Sequence, residues 1–305
     1  MSAPGFVHDA LVYRDDADFV EATVPFLLDG IRAGGAAFAV VPGRRVTLLR
    51  EALGSEGEKV PLLDMTEVGA NPARIIPALR DLVDTAGGRP VHGVGEPVWA
   101  GRSAQETAEA LLHEALLNLA FADTPGFRLR CPYDVAVGTG VLDSAHRSHP
   151  IMDGRPSGHY DVDYPRARFA GELPAPAEVS DITHFSLDDL PDVRDLVTAR
   201  ASAFGLSRDR ALDLALAVNE IVTNSVCHGG ERGTLRVWTD QSTVTCEITD
   251  GGHITDLLVG RHMPLPSIRG GRGVWLANHL CDLIQIRSSA VGTIVRLHMR
   301  RQSPA

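Results

Sequence analysis

Along the first half of the chain, short apolar runs alternate with longer amphipathic stretches. Residues 6–13, 36–41, 60–63, 90–94 and 127–131 read as strands. Residues 19–31, 46–53, 73–85 and 104–122 lie between them with apolar side chains at helical spacing. In the first of these, Phe19, Val20, Val24, Leu27, Leu28 and Ile31 form the stripe. Such alternation predicts a largely parallel sheet with helices on both faces, a three-layer α/β/α domain.

The second half has a different rhythm. Residues 189–204 and 208–228 read as consecutive helices, with Ser207 as N-cap of the second and Gly229-Gly230 as its end. Two alternating segments, 234–239 and 243–249, are joined by Asp240-Gln241-Ser242, which suits a hairpin. A Gly/Pro-rich stretch covers 251–273, followed by a helix at 274–281 and strands at 283–288 and 292–298. The pattern predicts an α/β sandwich, with a mixed or antiparallel sheet on one side and helices on the other. Pro165, Pro174 and Pro176 punctuate a stretch without burial period. The chain therefore divides into domains at 1–165 and 182–305, joined by a linker at 166–181.

Composition narrows the function classes. A net charge of −10 over 305 residues argues against a nucleic-acid footprint. Lys59 is the only lysine and lies in a Ser/Gly/Glu-rich loop. The four cysteines, Cys131, Cys227, Cys246 and Cys281, contain no CxxC pair, which speaks against a structural zinc site or a disulfide framework. The N-terminus lacks the basic and apolar regions of a signal peptide, and the most apolar helix is interrupted by His113, Glu114 and Asn118. A cytoplasmic protein that neither enters a membrane nor binds nucleic acid is expected.

Candidate chemistry concentrates after residue 200. Glu220 and Asn224 stand four apart on one helix, so both fall on the same face, beside the stripe of Ala211, Leu214, Ala215, Val218, Ile221 and Val222. A carboxylate and a carboxamide so placed can orient a nucleophile and hold hydrated Mg²⁺. Asp250 ends a strand beside Gly251 and Gly252, where it can accept a hydrogen bond from an exocyclic amine. Gly270, Gly271 and Gly273 precede a helix whose N–H groups can face phosphate oxygens. Gly292-Thr293 opens the last strand.

With these motifs in order, residues from 186 to 300 resemble the GHKL superfamily of ATPases with the Bergerat fold, and within it the bacterial anti-sigma-factor serine kinases. The resemblance implies ATP and Mg²⁺ as cofactors. It implies Glu220 as the base acting on an acceptor serine, Asn224 as Mg²⁺ ligand and Asp250 with Gly252 as the adenine reader. Gly271 and Gly273 match the second glycine box, and Thr293 the Gly-Thr near adenine. Implied partners are a sigma factor or a STAS-type anti-anti-sigma protein, and a homodimer is the usual assembly. The first glycine box departs from the family's Asp-x-Gly-x-Gly: it runs Asp250-Gly251-Gly252-His253-Ile254, which stiffens the start of a short lid at 253–269. A histidine-kinase reading would need an acceptor such as His184 on a long helix, but Pro191 interrupts that region. A switch that binds nucleotide and partner without phosphoryl transfer is the competing expectation.

Residues 6–152 resemble the MEDS sensory domain of bacterial regulators, distantly akin to RecA-like folds. The segment Pro42-Gly43-Arg44-Arg45-Val46-Thr47 has no Gly-Lys-[Ser/Thr], so no P-loop is expected. The family implies sensing of a small molecule. His8, Glu96, Trp99, His113, Glu114 and Tyr133 are the candidate pocket, expected to converge at the sheet's ligand-binding edge. His146 and His149, with His159 or Cys131, could instead ligate zinc, although that motif carries no carboxylate and surface histidines are its plainer meaning.

Overall fold

The computed structural model describes residues 5–176, 182–240, 242–264 and 271–301. Two compact units, Met1–Pro165 and Arg166–Ala305, make up the chain.

The first unit runs β1 (Val7–Tyr13), α1 (Asp16–Arg32), β2 (Ala36–Val41), α2 (Gly43–Leu53), β3 (Leu62–Asp64), α3 (Met65–Val68), α4 (Ile75–Thr85) and β4 (Val91–Gly95). It continues with α5 (Ala104–Ala120), β5 (Phe127–Asp134), α6 (Thr139–Ser148), β6 (Ile151–Met152) and β7 (Arg155–Pro156). The sheet order is β3-β2-β4-β5-β1-β6-β7, parallel except for β7. The chain moves one way through β1, β2 and β3, then back through β4 and β5. Right-handed crossovers therefore place α1 and α2 on one face and α4, α5 and α6 on the other. On the first face Phe19, Leu27 and Leu49 pack over Ala37, Ala39 and Val41.

The predicted strands and helices of this half are all present, with ends shifted by a few residues. Three differences stand out. Strand β5 runs on through Pro132, Tyr133 and Asp134, past the predicted end at residue 131, to a length of eight residues. Helix α6 adds an element that the pattern of apolar positions does not predict. The linker begins as a short helix, α7 (Tyr164–Phe169), and its residues 177–181 lie outside the described residues.

The second unit contains β8 (Ile182–Phe185), α8 (Leu190–Ala203), α9 (Arg208–His228), β9 (Gly233–Thr239), β10 (Thr243–Asp250), α10 (Arg272–Leu280), β11 (Leu283–Ser289) and β12 (Gly292–Arg300). Every pair in the order β11-β12-β10-β9-β8 is antiparallel. Ser207 caps α9 by accepting from the Arg210 amide, and the predicted stripe of α9 is buried. His184 pairs with Thr234 in an edge strand, so it sits on no helix. Gln241 of the predicted hairpin, Gly270 and lid residues 265–269 lie outside the described residues.

Candidate functional site

The site in the second unit grows from the contact between α9 and α10. Glu220 and Asn224 are half-buried at the edge of the α9 stripe. Their side chains meet the backbone of Gly273 in the first turn of α10, so closely that a Cβ there would lie 2.8 Å from Glu220 Oε2 and 3.2 Å from Asn224 Nδ2. Gly271, the N-cap, takes a left-handed conformation at φ 74° that favours glycine. The carboxylate–carboxamide pair and the glycine turn, 49 positions apart (273 − 224 = 49), thus form one wall.

Asp250 supplies the opposite part. It ends β10 opposite Thr293 of β12. Its Oδ1 accepts from the Gly252 amide at 2.7 Å and its Oδ2 from Ser225 Oγ at 2.6 Å. Each carboxylate oxygen keeps a second lone pair for a further donor. Thr293 Oγ1 donates to the Gly252 carbonyl at 2.9 Å and lies 2.8 Å from Ser288 Oγ. A Cβ on Gly252 would fall 2.8 Å from Gly229 Cα, and one on Gly229 would fall 2.5 Å from Asp250 Oδ1. Both glycines are thus required by close backbone approach. Between these walls lies a cavity of about 220 Å³, lined by Asn224, Asp250, Gly252, Gly271 and Thr293 with apolar Ile221, Val259, Val274 and Ile286.

An apolar slot that carries the Asp250 carboxylate, the Asn224 amide and the N-cap of a helix is the donor set that a purine nucleotide with Mg²⁺ needs, while Glu220 touches Gly273 and Asn224 lines the slot itself. The glycine approaches leave backbone where a side chain would block it, so the residues fit that group. Sequence reading missed Ser225. Its position three after Val222 and four after Ile221 is a signal, since a hydroxyl on a core stripe needs an acceptor: the Ile221 carbonyl stands at 3.2 Å and Asp250 Oδ2 nearer, at 2.6 Å. Ile254, which stands where the family's glycine box has its last glycine, donates its amide to Ser288 Oγ at 2.8 Å, and it lines the cavity.

The six sensory candidates do not share one pocket. Along β1 and β5 side chains alternate between faces. Asp9, Tyr13 and Arg130 turn towards α1, where Arg130 pairs with Asp9 at 2.8 Å and donates to the Ala22 carbonyl. His8, Cys131 and Tyr133 turn towards α5. There Tyr133 donates to Glu114 Oε2 at 3.0 Å, and His113 Nε2 lies 3.8 Å from Glu114 Oε1. Burial pushes His8 down to about 4, assisted by His149 beside it. Glu96 instead follows β4 at the carboxyl edge of the sheet, where its Oε1 accepts from Tyr13 at 2.6 Å while Arg45 donates to the Tyr13 hydroxyl. Burial pushes Glu96 up to about 7, against the downward pull of Tyr13 and Arg45. Trp99 stands apart under the Arg102 guanidinium, 3.7 Å from its ring centre. Of the zinc candidates, His146 packs edge-on against His159, while Cys131 and His149 join the buried group around Glu114.

Comparison with known proteins agrees with this division. Residues 7–150 match the family described as the MEthanogen/methylotroph, DcmR Sensory domain (MEDS), and residues 184–299 match the histidine kinase-like ATPase domain. The chain thus joins a MEDS domain to a histidine kinase-like ATPase domain, and the second implies ATP binding. No curated protein matches it. A solved structure of the RsbU and RsbW domains of a Mycobacterium tuberculosis protein is similar at 20% identity and TM-score 0.31. The likeness covers 41% of this chain and 34% of that one. Among the described residues no helix is long and apolar enough to cross a membrane.

Proposed function

We propose that the second unit holds ATP with Mg²⁺ and acts as an anti-sigma-type protein serine kinase under control of the MEDS domain. The observation that supports this best is the meeting of Glu220 and Asn224 with the Gly271–Gly273 turn, across one cavity from Asp250. Bound ATP would supply the phosphoryl group and Mg²⁺ its charge neutralisation.

Each residue has a part in this reading. Asp250, held by Ser225 and the Gly252 amide, accepts from the adenine amine, with Thr293 fixing the Gly252 backbone beside it. The glycine turn offers N–H groups to phosphate oxygens at the positive end of α10. Asn224 provides the amide oxygen for Mg²⁺, and Glu220 takes the proton of an acceptor serine hydroxyl. That serine would belong to a STAS-type anti-anti-sigma protein, and the nucleotide-bound form would sequester a sigma factor, as a homodimer. The MEDS domain would respond to a small molecule.

A second reading is a nucleotide-dependent switch without phosphoryl transfer. Ile254 favours it: anchored to Ser288 and inserted in the cavity wall, it restrains the start of the lid where a glycine would swing. Glu220→Ala assayed with labelled ATP and a STAS-type anti-anti-sigma protein decides between them. Loss of serine labelling with retained ATP binding supports the kinase. Absence of labelling by the unaltered protein, with ATP bound, supports the switch.

A further inference from the structure

Four side chains remote in sequence meet inside the MEDS unit. His8 from β1, Glu114 from α5, Cys131 from β5 and His149 at the end of α6 each bring one donor atom, all within 4.8 Å of one another. All four are buried, none more than 1% exposed.

Their surroundings fix which atoms face inward. The Asn118 amide nitrogen donates to the Ser148 carbonyl at 2.7 Å, which leaves its oxygen 3.2 Å from His8 Nδ1. His8 therefore donates through Nδ1 and turns the Nε2 lone pair to the centre. His149 Nδ1 lies 2.9 Å from the Ala145 carbonyl and does the same. His149 Nε2 then faces Glu114 Oε2 at 2.9 Å with no hydrogen-bond partner. His8 Nε2 is 3.7 Å from the same oxygen and 3.3 Å from Cys131 Sγ. The thiol can donate to His8, and Tyr133 donates to Glu114, but neither reaches the contact between His149 and Glu114. Two lone pairs that close in a dry interior require a shared proton or a metal cation between them.

We propose that these four residues bind one divalent transition-metal ion, for which zinc is the best fit, through His8 Nε2, His149 Nε2, Cys131 Sγ and a Glu114 carboxylate oxygen. Tetrahedral zinc with bonds of about 2.0–2.3 Å has ligand edges of roughly 3.3–3.7 Å; the two contacts of His8 Nε2, at 3.3 and 3.7 Å, match these, and the others, from 2.9 Å to within 4.8 Å, would adjust by up to about 1 Å on binding. On binding, Cys131 releases its thiol proton to solvent. Thiolate and carboxylate together carry −2, so the ion makes a neutral centre, as burial demands. Asn118, the Ala145 carbonyl and Tyr133 form the outer ring of hydrogen bonds that orients such ligands. Four protein donors close the coordination sphere, which marks a structural ion that pins β1, β5, α5 and the end of α6 together. Cysteine spacing gave no hint of it, because each ligand comes from a different element.

The test uses the full-length chain without tag, in a Cys227→Ser background that removes the exposed thiol. Protein grown with zinc is gel-filtered and its metal content measured, and a cobalt-loaded sample is examined for a thiolate-to-metal charge-transfer band. The expected result is about one metal ion per chain, with the cobalt band present. Cys131→Ser should abolish the band, and His149→Gln should lower metal content about tenfold or more. Should those variants fail to fold, the cobalt spectrum of the parent decides alone. A parent with neither retained metal nor cobalt band, or with metal content indifferent to Cys131→Ser and His149→Gln, overturns the proposal and leaves a protonated His149 paired with Glu114.

Discussion

Gly273 of α10 lies against Glu220 of α9, with room for no side chain between the helix backbone and the carboxylate. A methyl at 273 would collide with Glu220 Oε2 at 2.8 Å, the mobile end of a rotatable side chain. Gly273→Ala is therefore cheap for the fold, and helix propensity contributes about 0.5–1 kcal/mol in its favour. The carboxylate must swing aside, however. Phosphoryl transfer should fall at least about tenfold, a transition-state loss of roughly 1.4 kcal/mol or more, while the thermal midpoint moves by only a few degrees. Labelled-ATP kinetics together with a melting curve check this.

Ser225→Ala should behave in the opposite way. It removes the donor to Asp250 Oδ2 from a buried position. A hydrogen bond to a charged group contributes about 1.5–3 kcal/mol, so the midpoint of denaturant unfolding of the second unit should fall accordingly. ATP affinity should also weaken, because Asp250 loses one of its two anchors.

How far the sequence reached differs between these two residues. Glu220 and Asn224 were legible because helical spacing alone places them on one face, and α9 has the predicted ends, Arg208–His228. Ser225 was not, because its partner lies 25 residues on, at the end of β10, and its hydroxyl reads as one more polar side chain. The same limit explains the MEDS unit. Strand period and length located β1 and β5, yet which face His8 or Tyr133 takes depends on where α5 packs. Strand β8 escaped notice because four residues at a sheet edge, with alternate side chains exposed, carry too short a pattern.

Glu96 should make the first unit's stability depend on pH. Its folded value of about 7 stands above the ordinary carboxylate value of 4.5, so over that interval the folded chain holds a proton that the unfolded chain has released. Stability is then highest at low pH within the window, falls as pH rises from 4.5 to 7, and levels off above. The slope should approach about 1.4 kcal/mol per pH unit. Trp99, the one tryptophan of this unit, reports its unfolding in a Trp238→Phe, Trp275→Phe background. Glu96→Gln should flatten the profile.

Ile254→Gly separates the kinase from the switch. Removing the side chain from the cavity wall frees the start of the lid. Serine labelling should rise in the variant if Ile254 restrains lid closure, with ATP affinity changed less than about threefold, a difference below roughly 1 kcal/mol. Labelling absent in both proteins, with ATP bound by both, assigns the chain to the switch.

Whether Asp250 and Asn224 belong to one ATP·Mg²⁺ site is measured by calorimetric titration of ATP into the full-length chain. Saturable binding in the presence of Mg²⁺ is expected, and Asp250→Ala should abolish it. Asn224→Ala should weaken it in a way that added Mg²⁺ does not restore, and Glu220→Ala should leave it intact. No measurable heat of binding with the unaltered protein, or a binding curve indifferent to Asp250→Ala, would contradict a shared site.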